Sequence, residues 1–376
     1  MQDTFSLEYL RSLTHETPFF LYSKEKVLQN LSEYQESLPP DTEICYAIKS
    51  NSEREVLTTL FQAGASFEVA SKYELRFLEE IGVPGSRMIY GTAVKPEEHI
   101  NDFVAHGVDR FAFDSEEELQ KIMRRAPGSQ VYIRVLVDDR SDSVFHMSEK
   151  FGAQLHDAAD LMIRAKELGL IPYGISFNVG SQARNQYAWE RGIRDVFRIM
   201  NQLLKKDIHV EVVNLGGGFP HSYQNNDGFH PIKDIAIHVR NALTESPYPV
   251  KLIVEPGRGL VANSYVLIAT VIAKNVRENG HWLFLDAGVY NALLEALASQ
   301  GTTKYRITPL KKYREEGEEY IVTGPTGDNL DVIGRGIALP TDIEVGDRVV
   351  IYDTGAYTFP LMTSFNGFPK PKTFTV

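Results

Sequence analysis

The 376-residue chain is poor in cysteine: it holds one, Cys45, inside the apolar run EICYAIKS. A lone thiol has no mate within the chain, which fits a reducing compartment. Positive charge is also scarce. Lys and Arg number 39 against 50 Asp and Glu, and the net charge of -11 argues against binding along phosphate backbones or anionic membranes. No stretch approaches the ~20 consecutive apolar residues that span a bilayer, and the start, MQDTFSLEYLRSLTHETPFF, lacks the basic-then-apolar layout of a signal peptide. The expectation is a cytoplasmic protein whose partners are small molecules or proteins, with no nucleic acid and no membrane. Metal patterns are absent as well: the ten histidines form no HxxxH pair, and DNLD lacks the ligand density of a calcium loop.

What is present is material for a sizeable core, with 43% hydrophobic and 11% aromatic residues. From residue 43 onward, eight short β-rich runs alternate with amphipathic segments: EICYAIKS, SFEVAS, RMIYG, RFAFDS, QVYIRVLVD, IPYGISFNVG, HVEVVNLGGG and VKLIVEPGR. Helix starts are signalled by Ser52 with Glu55, Ser71 with Glu74 and Ser115 with Glu118, each spaced as a capping box. Eight strand and helix alternations predict a (β/α)8 barrel in an α/β chain, since an open doubly wound sheet usually stops at five to seven strands. After about residue 262 the texture changes to long β runs without intervening helices, SYVLIATVIAKNV, HWLFLDAGV, EEYIVTGP and DRVVIYDTGAY. We therefore expect a barrel over 24–262 and a mostly β domain over 1–23 and 263–376, with PFFLYS joining the latter.

In a parallel barrel the chemistry sits at the carboxyl ends of the strands. The first run ends at Lys49, the fifth contains Arg134, and the sixth runs into Asn178, Gly180 and Ser181. The seventh runs into Gly216, Gly217 and Gly218, and the eighth into Glu255, Gly257 and Arg258. Lys49 follows an apolar strand, where burial would favour a neutral, nucleophilic amine; it could equally mark the strand's wet end. The triple glycine and the VGS turn offer backbone N–H groups unobstructed by side chains, which suits a phosphate late in the barrel order. Glu255 follows three apolar residues, and a buried carboxylate wants a cation: either Arg258 or a protonated ring nitrogen. An amine, a phosphate cradle and a carboxylate for a ring nitrogen are together what pyridoxal phosphate requires.

These residues carry a resemblance. The motifs YAIKSN, SFEVASKYEL, KFGAQL, GISFNVGSQ, NLGGGFP, EPGRGLVAN, GPTGDNLD, GAYT and SFNGFPKP stand in family order, nearly end to end. The chain resembles the fold-type III pyridoxal-phosphate decarboxylases, the ornithine, diaminopimelate and arginine decarboxylase group, and most of all the bacterial ornithine/lysine branch. The resemblance implies pyridoxal 5'-phosphate as cofactor, joined to Lys49 as a Schiff base, with Glu255 keeping the pyridine nitrogen protonated. It implies that Gly217, Gly218, Ser181, Gly257 and Arg258 hold the phosphate, with Tyr357 of GAYT reaching it. Arg134, Lys150 and Glu68 would line the pocket, Glu68 standing where the family usually has aspartate. It further implies a homodimer in which the GPTGDNLD loop of one subunit, with Asp328, completes the substrate site of the other.

Three departures fall in that pocket. Asn178 replaces the family's ring-stacking histidine, and Gly327 replaces the cysteine expected to deliver a proton. The second acidic residue that grips a distal ammonium falls at or near Ala298, with Glu295 the nearest carboxylate. The expectation is a decarboxylase of an α-amino acid that is not plain ornithine or lysine, such as an amino-acid moiety carried on a larger natural-product conjugate. The alternatives are an ordinary ornithine/lysine decarboxylase of polyamine synthesis, a racemase on the same fold, and a homologue that binds the cofactor without chemistry.

Overall fold

The computed structural model describes residues 4–138, 143–147, 149–224, 228–313 and 317–376. It divides into two compact units, one of Leu28–His221 and Asp227–Leu260, the other of Met1–Val27, Ser222–Asn226 and Val261–Val376.

In the first unit eight parallel strands close on themselves: Glu43–Ala47, Ser66–Val69, Met88–Tyr90, Arg110–Phe113, Gln130–Arg134, Ile171–Ser176, Val212–Asn214 and Lys251–Val254. They pair in chain order, and the eighth returns to the first through Ile253 with Glu43 and Val254 with Ile44. This is the (β/α)8 barrel, one strand for each of the eight β-rich runs. Helices such as Arg54–Gln62, Lys72–Glu79, Glu116–Arg125 and Ala188–Leu204 carry the chain between strands. Ser71 and Ser115 cap their helices as expected, their hydroxyls accepting from the N–H groups of Glu74 and Glu118. Ser52 does not: Arg54–Gln62 begins one residue later, with Glu53 at the cap position, because the Asn51 side chain already accepts from the Glu53 N–H.

Alternation along the strands builds the site. Cys45, Ile89, Ala112, Tyr132, Val212 and Ile253 pack together as a buried layer. Two residues further along their strands stand Ala47, Arg134, Asn214 and Glu255, and the paired registers bring Glu68 level with Ala47 and Ser176 level with both Arg134 and Asn214. The apolar layer is thus the floor beneath a polar layer at the carboxyl ends.

The second unit is mostly β, as the long runs predict. Its sheet follows the order Ile307–Pro309, Arg348–Ile351, Tyr265–Arg277, Gly280–Leu285, Gly317–Thr323 and Val332–Pro340. Phe19–Tyr22 pairs antiparallel with Tyr265–Arg277 and parallel with Lys372–Thr375, so PFFLYS does join this unit. Phe19, Leu21, Val266, Ile268 and Val350 form its core. Two features were not anticipated. The helix Leu294–Ala298 interrupts the β runs, and a strand, Val332–Pro340, follows directly on the GPTGDNLD loop.

Candidate active site

Lys49 lies in the one-turn helix Ile48–Ser50 that follows the first barrel strand. Its Nζ is 2.7 Å from Glu68 Oε2. The lysine side chain is 44% exposed and the glutamate side chain 4%. Of the two readings of Lys49, the exposure matches the strand's wet end: the helical turn carries Lys49 to the open end of the barrel, and the buried partner is Glu68.

Glu255, partly buried at the end of the eighth strand, accepts a 2.7 Å hydrogen bond from Asn214 Nδ2. Its pKa is raised to about 7, first by burial and then by the negative charge of Glu68, against the opposing pull of Lys49, the Asn214 bond and Arg134. Arg258 is not its partner. That guanidinium donates to Ser181 Oγ at 3.3 Å and lies 5.9 Å from the Phe145 ring centre. Among the described residues no cation is within salt-bridge distance of Glu255, which is the condition a protonated ring nitrogen would relieve.

The glycine turns are packed backbone against backbone. A Cβ on Gly217 would come within 2.8 Å of the Glu255 carbonyl oxygen, one on Gly218 would overlap the Gly180 carbonyl, and one on Gly257 would lie 2.9 Å from Ser50 Cβ. Gly218 has a φ of +89° as well. Gly216 donates to Asn214 Oδ1 and Gly180 to Asn178 Oδ1, each at 2.9 Å. Among the described residues the N–H groups of Gly217, Gly218 and Gly257 have no acceptor. Three uncommitted donors on the turns after two neighbouring strands suit a phosphate. With a reachable amine and an unmatched carboxylate beside them, the mouth fits pyridoxal phosphate.

Asn178 spends its amide oxygen on this scaffold, closing the turn that leads to Ser181. Ser181–Ala183 then pairs with Ser143–Phe145 in a short antiparallel ribbon. Arg134 ends the fifth strand with its guanidinium 5.6 Å from the Phe151 ring centre, and Lys150 Nζ lies 5.0 Å from the same ring. Lys150, expected to line the pocket, is exposed. Asn214, which bonds Glu255 and shapes the Gly216 turn, was missed by sequence reasoning; its signal was its place two residues beyond buried Val212.

In the second unit the two aspartates of GPTGDNLD separate into distinct roles. Asp331 is fully buried: Oδ1 accepts from the Val289 N–H at 2.8 Å, and Oδ2 accepts from the Thr326 N–H at 3.0 Å and hydroxyl at 2.7 Å. Asp328 is half-buried and accepts from the Leu330 N–H at 2.8 Å. Tyr290, whose phenol pKa is raised by burial and then by a hydrogen bond to Asp328, packs at a tilt against Phe365 of SFNGFPKP with ring centres 4.4 Å apart. Tyr290 too was unforeseen, as a single tyrosine between a strand and a short helix carries no periodic signal. Gly327 is exposed, and a Cβ there would meet no heavy atom within 4 Å. Ala298 is exposed, whereas Glu295 is 2% exposed. Tyr357 holds a left-handed φ of 53°, a conformation costing a side-chain-bearing residue about 1 kcal/mol or more. A cavity of about 420 Å³ opens between Leu294–Ala298 and Val332–Pro340, with Asn329, Leu330, Lys304 and Arg335 on its lining. Among the described residues no cluster of three or more His, Cys, Asp or Glu could hold a metal, and no helix is long and apolar enough to cross a membrane.

Comparison with known proteins agrees with this chemistry. Residues 24–262 match the family model "Pyridoxal-dependent decarboxylase, pyridoxal binding domain". The lysine/ornithine decarboxylase of Selenomonas ruminantium is 31% identical over 353 residues, covering 94% of this chain and 88% of that protein. The ornithine decarboxylase of Mus musculus is 30% identical over 372 residues, covering 95% and 80%. The crystal structure of the Paramecium bursaria Chlorella virus arginine decarboxylase superposes with a TM-score of 0.90 at 27% identity, over 99% of this chain and 100% of that one. A family match across the whole barrel, joined to relatives that span nearly the full length, means that this chain belongs to the pyridoxal-dependent decarboxylases and is a pyridoxal-phosphate enzyme of the fold-type III, ornithine decarboxylase group.

Proposed function

We propose that the chain decarboxylates an α-amino acid whose distal end differs from that of free ornithine or lysine, with an amino-acid moiety on a larger conjugate as the favoured substrate class. The observation that carries this reading is the pair Ala298 and Glu295. Where the resemblance calls for a second acid on a distal ammonium, the chain presents an exposed alanine, and the nearest carboxylate is buried. Exposed Gly327 and the cavity that begins at Asn329 and Leu330 leave room for a larger distal group beside Asp328. A second reading, ornithine or lysine itself, draws on the lysine/ornithine decarboxylase named among the relatives.

In this reading Lys49 would hold pyridoxal phosphate through its amine, and Gly217, Gly218, Gly257 and Ser181 would hold the phosphate, with Tyr357 and Arg258 assisting. Bound pyridoxal phosphate supplies the electron sink that lets carbon dioxide leave the α-carbon. Glu255, whose pKa burial raises, would stand as the carboxylate partner of the ring nitrogen. Arg134 adds positive charge to the mouth, and Asn178 keeps the turn beneath the phosphate closed. Glu68 holds the Lys49 ammonium when the amine is not bonded to the cofactor. With glycine at 327 and Cys45 fully buried, that ammonium is the acid this mouth offers for the proton returned to the α-carbon. The loop carrying Asp328 completes the site of a second subunit in a homodimer.

Purified protein with added pyridoxal phosphate is expected to show a visible absorption band that Lys49→Ala abolishes, together with at least a thousandfold loss of carbon dioxide release. A wild-type protein that stays colourless in saturating cofactor would overturn the assignment of this site.

A further inference from the structure

Gly91 follows the third barrel strand, next to the strand that carries Glu68. Its φ lies outside the left-handed region and its N–H donates to the Val69 carbonyl at 3.1 Å, so the backbone makes no demand for glycine. Space does. A Cβ at 91 would overlap Glu68 Oε1 and would lie 2.5 Å from Glu68 Cγ and 2.8 Å from Cδ. The side chain that fills the gap is the one whose other oxygen, Oε2, is 2.7 Å from Lys49 Nζ. Glu68 is 3% exposed, so it has no free direction in which to yield. Glutamate is also one methylene longer than the aspartate implied at this place by the family resemblance.

We propose that Gly91 and Glu68 act as one positioning unit: the missing Cβ at 91 houses the extra length of Glu68 and so sets where the Lys49 amine is held. The inference rests on the reading of Lys49 as the cofactor lysine. Gly91 touches neither cofactor nor substrate and acts only through Glu68. A methyl group at 91 pushes the carboxylate off Nζ, whereas aspartate at 68, with one methylene fewer to place, can turn about its Cα–Cβ bond and accommodate that methyl group.

The test uses the reactivity of Lys49 itself in cofactor-free protein. Trace labelling with acetic anhydride at pH 7, read on the Lys49 peptide by mass spectrometry against the other lysines, measures how firmly the ammonium is held. Gly91→Ala is expected to raise Lys49 labelling about fivefold, because loss of a close opposite charge favours the neutral amine. Gly91→Ala combined with Glu68→Asp is expected to return labelling within about twofold of wild type, a coupling that separate structural defects would not show. Glu68→Gln adds no atoms and keeps the shape, so it should raise labelling even if Gly91→Ala folds poorly. Wild-type labelling in Gly91→Ala or in Glu68→Gln, or a double variant no better than Gly91→Ala, would overturn the proposal. The visible band lost in Lys49→Ala tests the cofactor assignment separately, so the two failures are distinguishable.

Discussion

The turns at the barrel mouth and the 324–331 loop are both rich in glycine, yet the glycines answer to different constraints. At the mouth, Gly217, Gly218 and Gly257 each sit where a Cβ would press on backbone or a neighbouring side chain, and Gly218 needs a left-handed φ besides. In the loop, Gly324 is equally confined, its Cβ position lying against Asp331 and Gly288, but Gly327 meets nothing within 4 Å and has no positive φ. The carboxylates divide in the same way. Glu255 and Asp331 are held by neighbours that serve them, while Asp328 is half-buried beside an exposed stretch. The mouth is over-determined by packing; the loop at Gly327 is left open to change.

The largest expected effect comes from breaking the over-determined region. Glu255→Gln should lower kcat by at least a hundredfold, because an amide cannot keep a ring nitrogen protonated. The same change should stabilise cofactor-free protein. The folded-state pKa of Glu255, about 7, stands above its ordinary value of 4.5. The folded state thus keeps a proton that the unfolded chain releases, and stability falls as pH rises from 4.5 to 7. Glu255→Gln removes that fall, so at pH 8 the cofactor-free variant should be more stable than wild type by about 1–3 kcal/mol, with little difference at pH 4. Urea unfolding at both pH values measures it.

Next comes Asp331→Ala, which strands the Val289 and Thr326 donors inside the second unit. A cost of about 2–4 kcal/mol is expected in chemical denaturation. The visible cofactor band should persist at temperatures where the variant is folded. Asp328→Asn should leave stability within about 0.5 kcal/mol and act on substrate, lowering kcat/KM about tenfold or more. If the two substitutions prove equally destabilising, the division drawn between these aspartates is wrong. The smallest effect belongs to Gly327→Ala, whose methyl group enters open space: melting temperature should not fall, and KM for a bulky substrate should rise more than KM for a small one.

Most of the barrel was legible because its strands are short apolar runs, and on two of them the next inward position is polar: Tyr132 leads to Arg134 and Ile253 to Glu255. That two-residue step exposes site residues even in a single sequence. It failed at Lys49, where the chain leaves the strand for a helical turn and the alternation no longer tells burial. Val332–Pro340 was hidden by glycines at 334 and 336, which weaken the β signal although backbone pairing with Gly317–Thr323 supplies the strand. Asp331 was passed over in favour of Asp328, because nothing in DNLD marks a carboxylate that braces Thr326 and Val289. Gly91 was invisible for the same reason: its partner Glu68 lies on a neighbouring strand, and only the folded chain brings them together.

The direct test is a side-by-side assay of carbon dioxide release by the purified, cofactor-loaded protein from ornithine, lysine, arginine and α-amino acids carried on larger conjugates. At least one conjugate should be used with kcat/KM tenfold or more above the best free diamino acid, a difference of about 1.4 kcal/mol in transition-state binding. Turnover of ornithine or lysine as efficient as that of every conjugate would contradict the account of Ala298 and Gly327 as marks of a changed substrate.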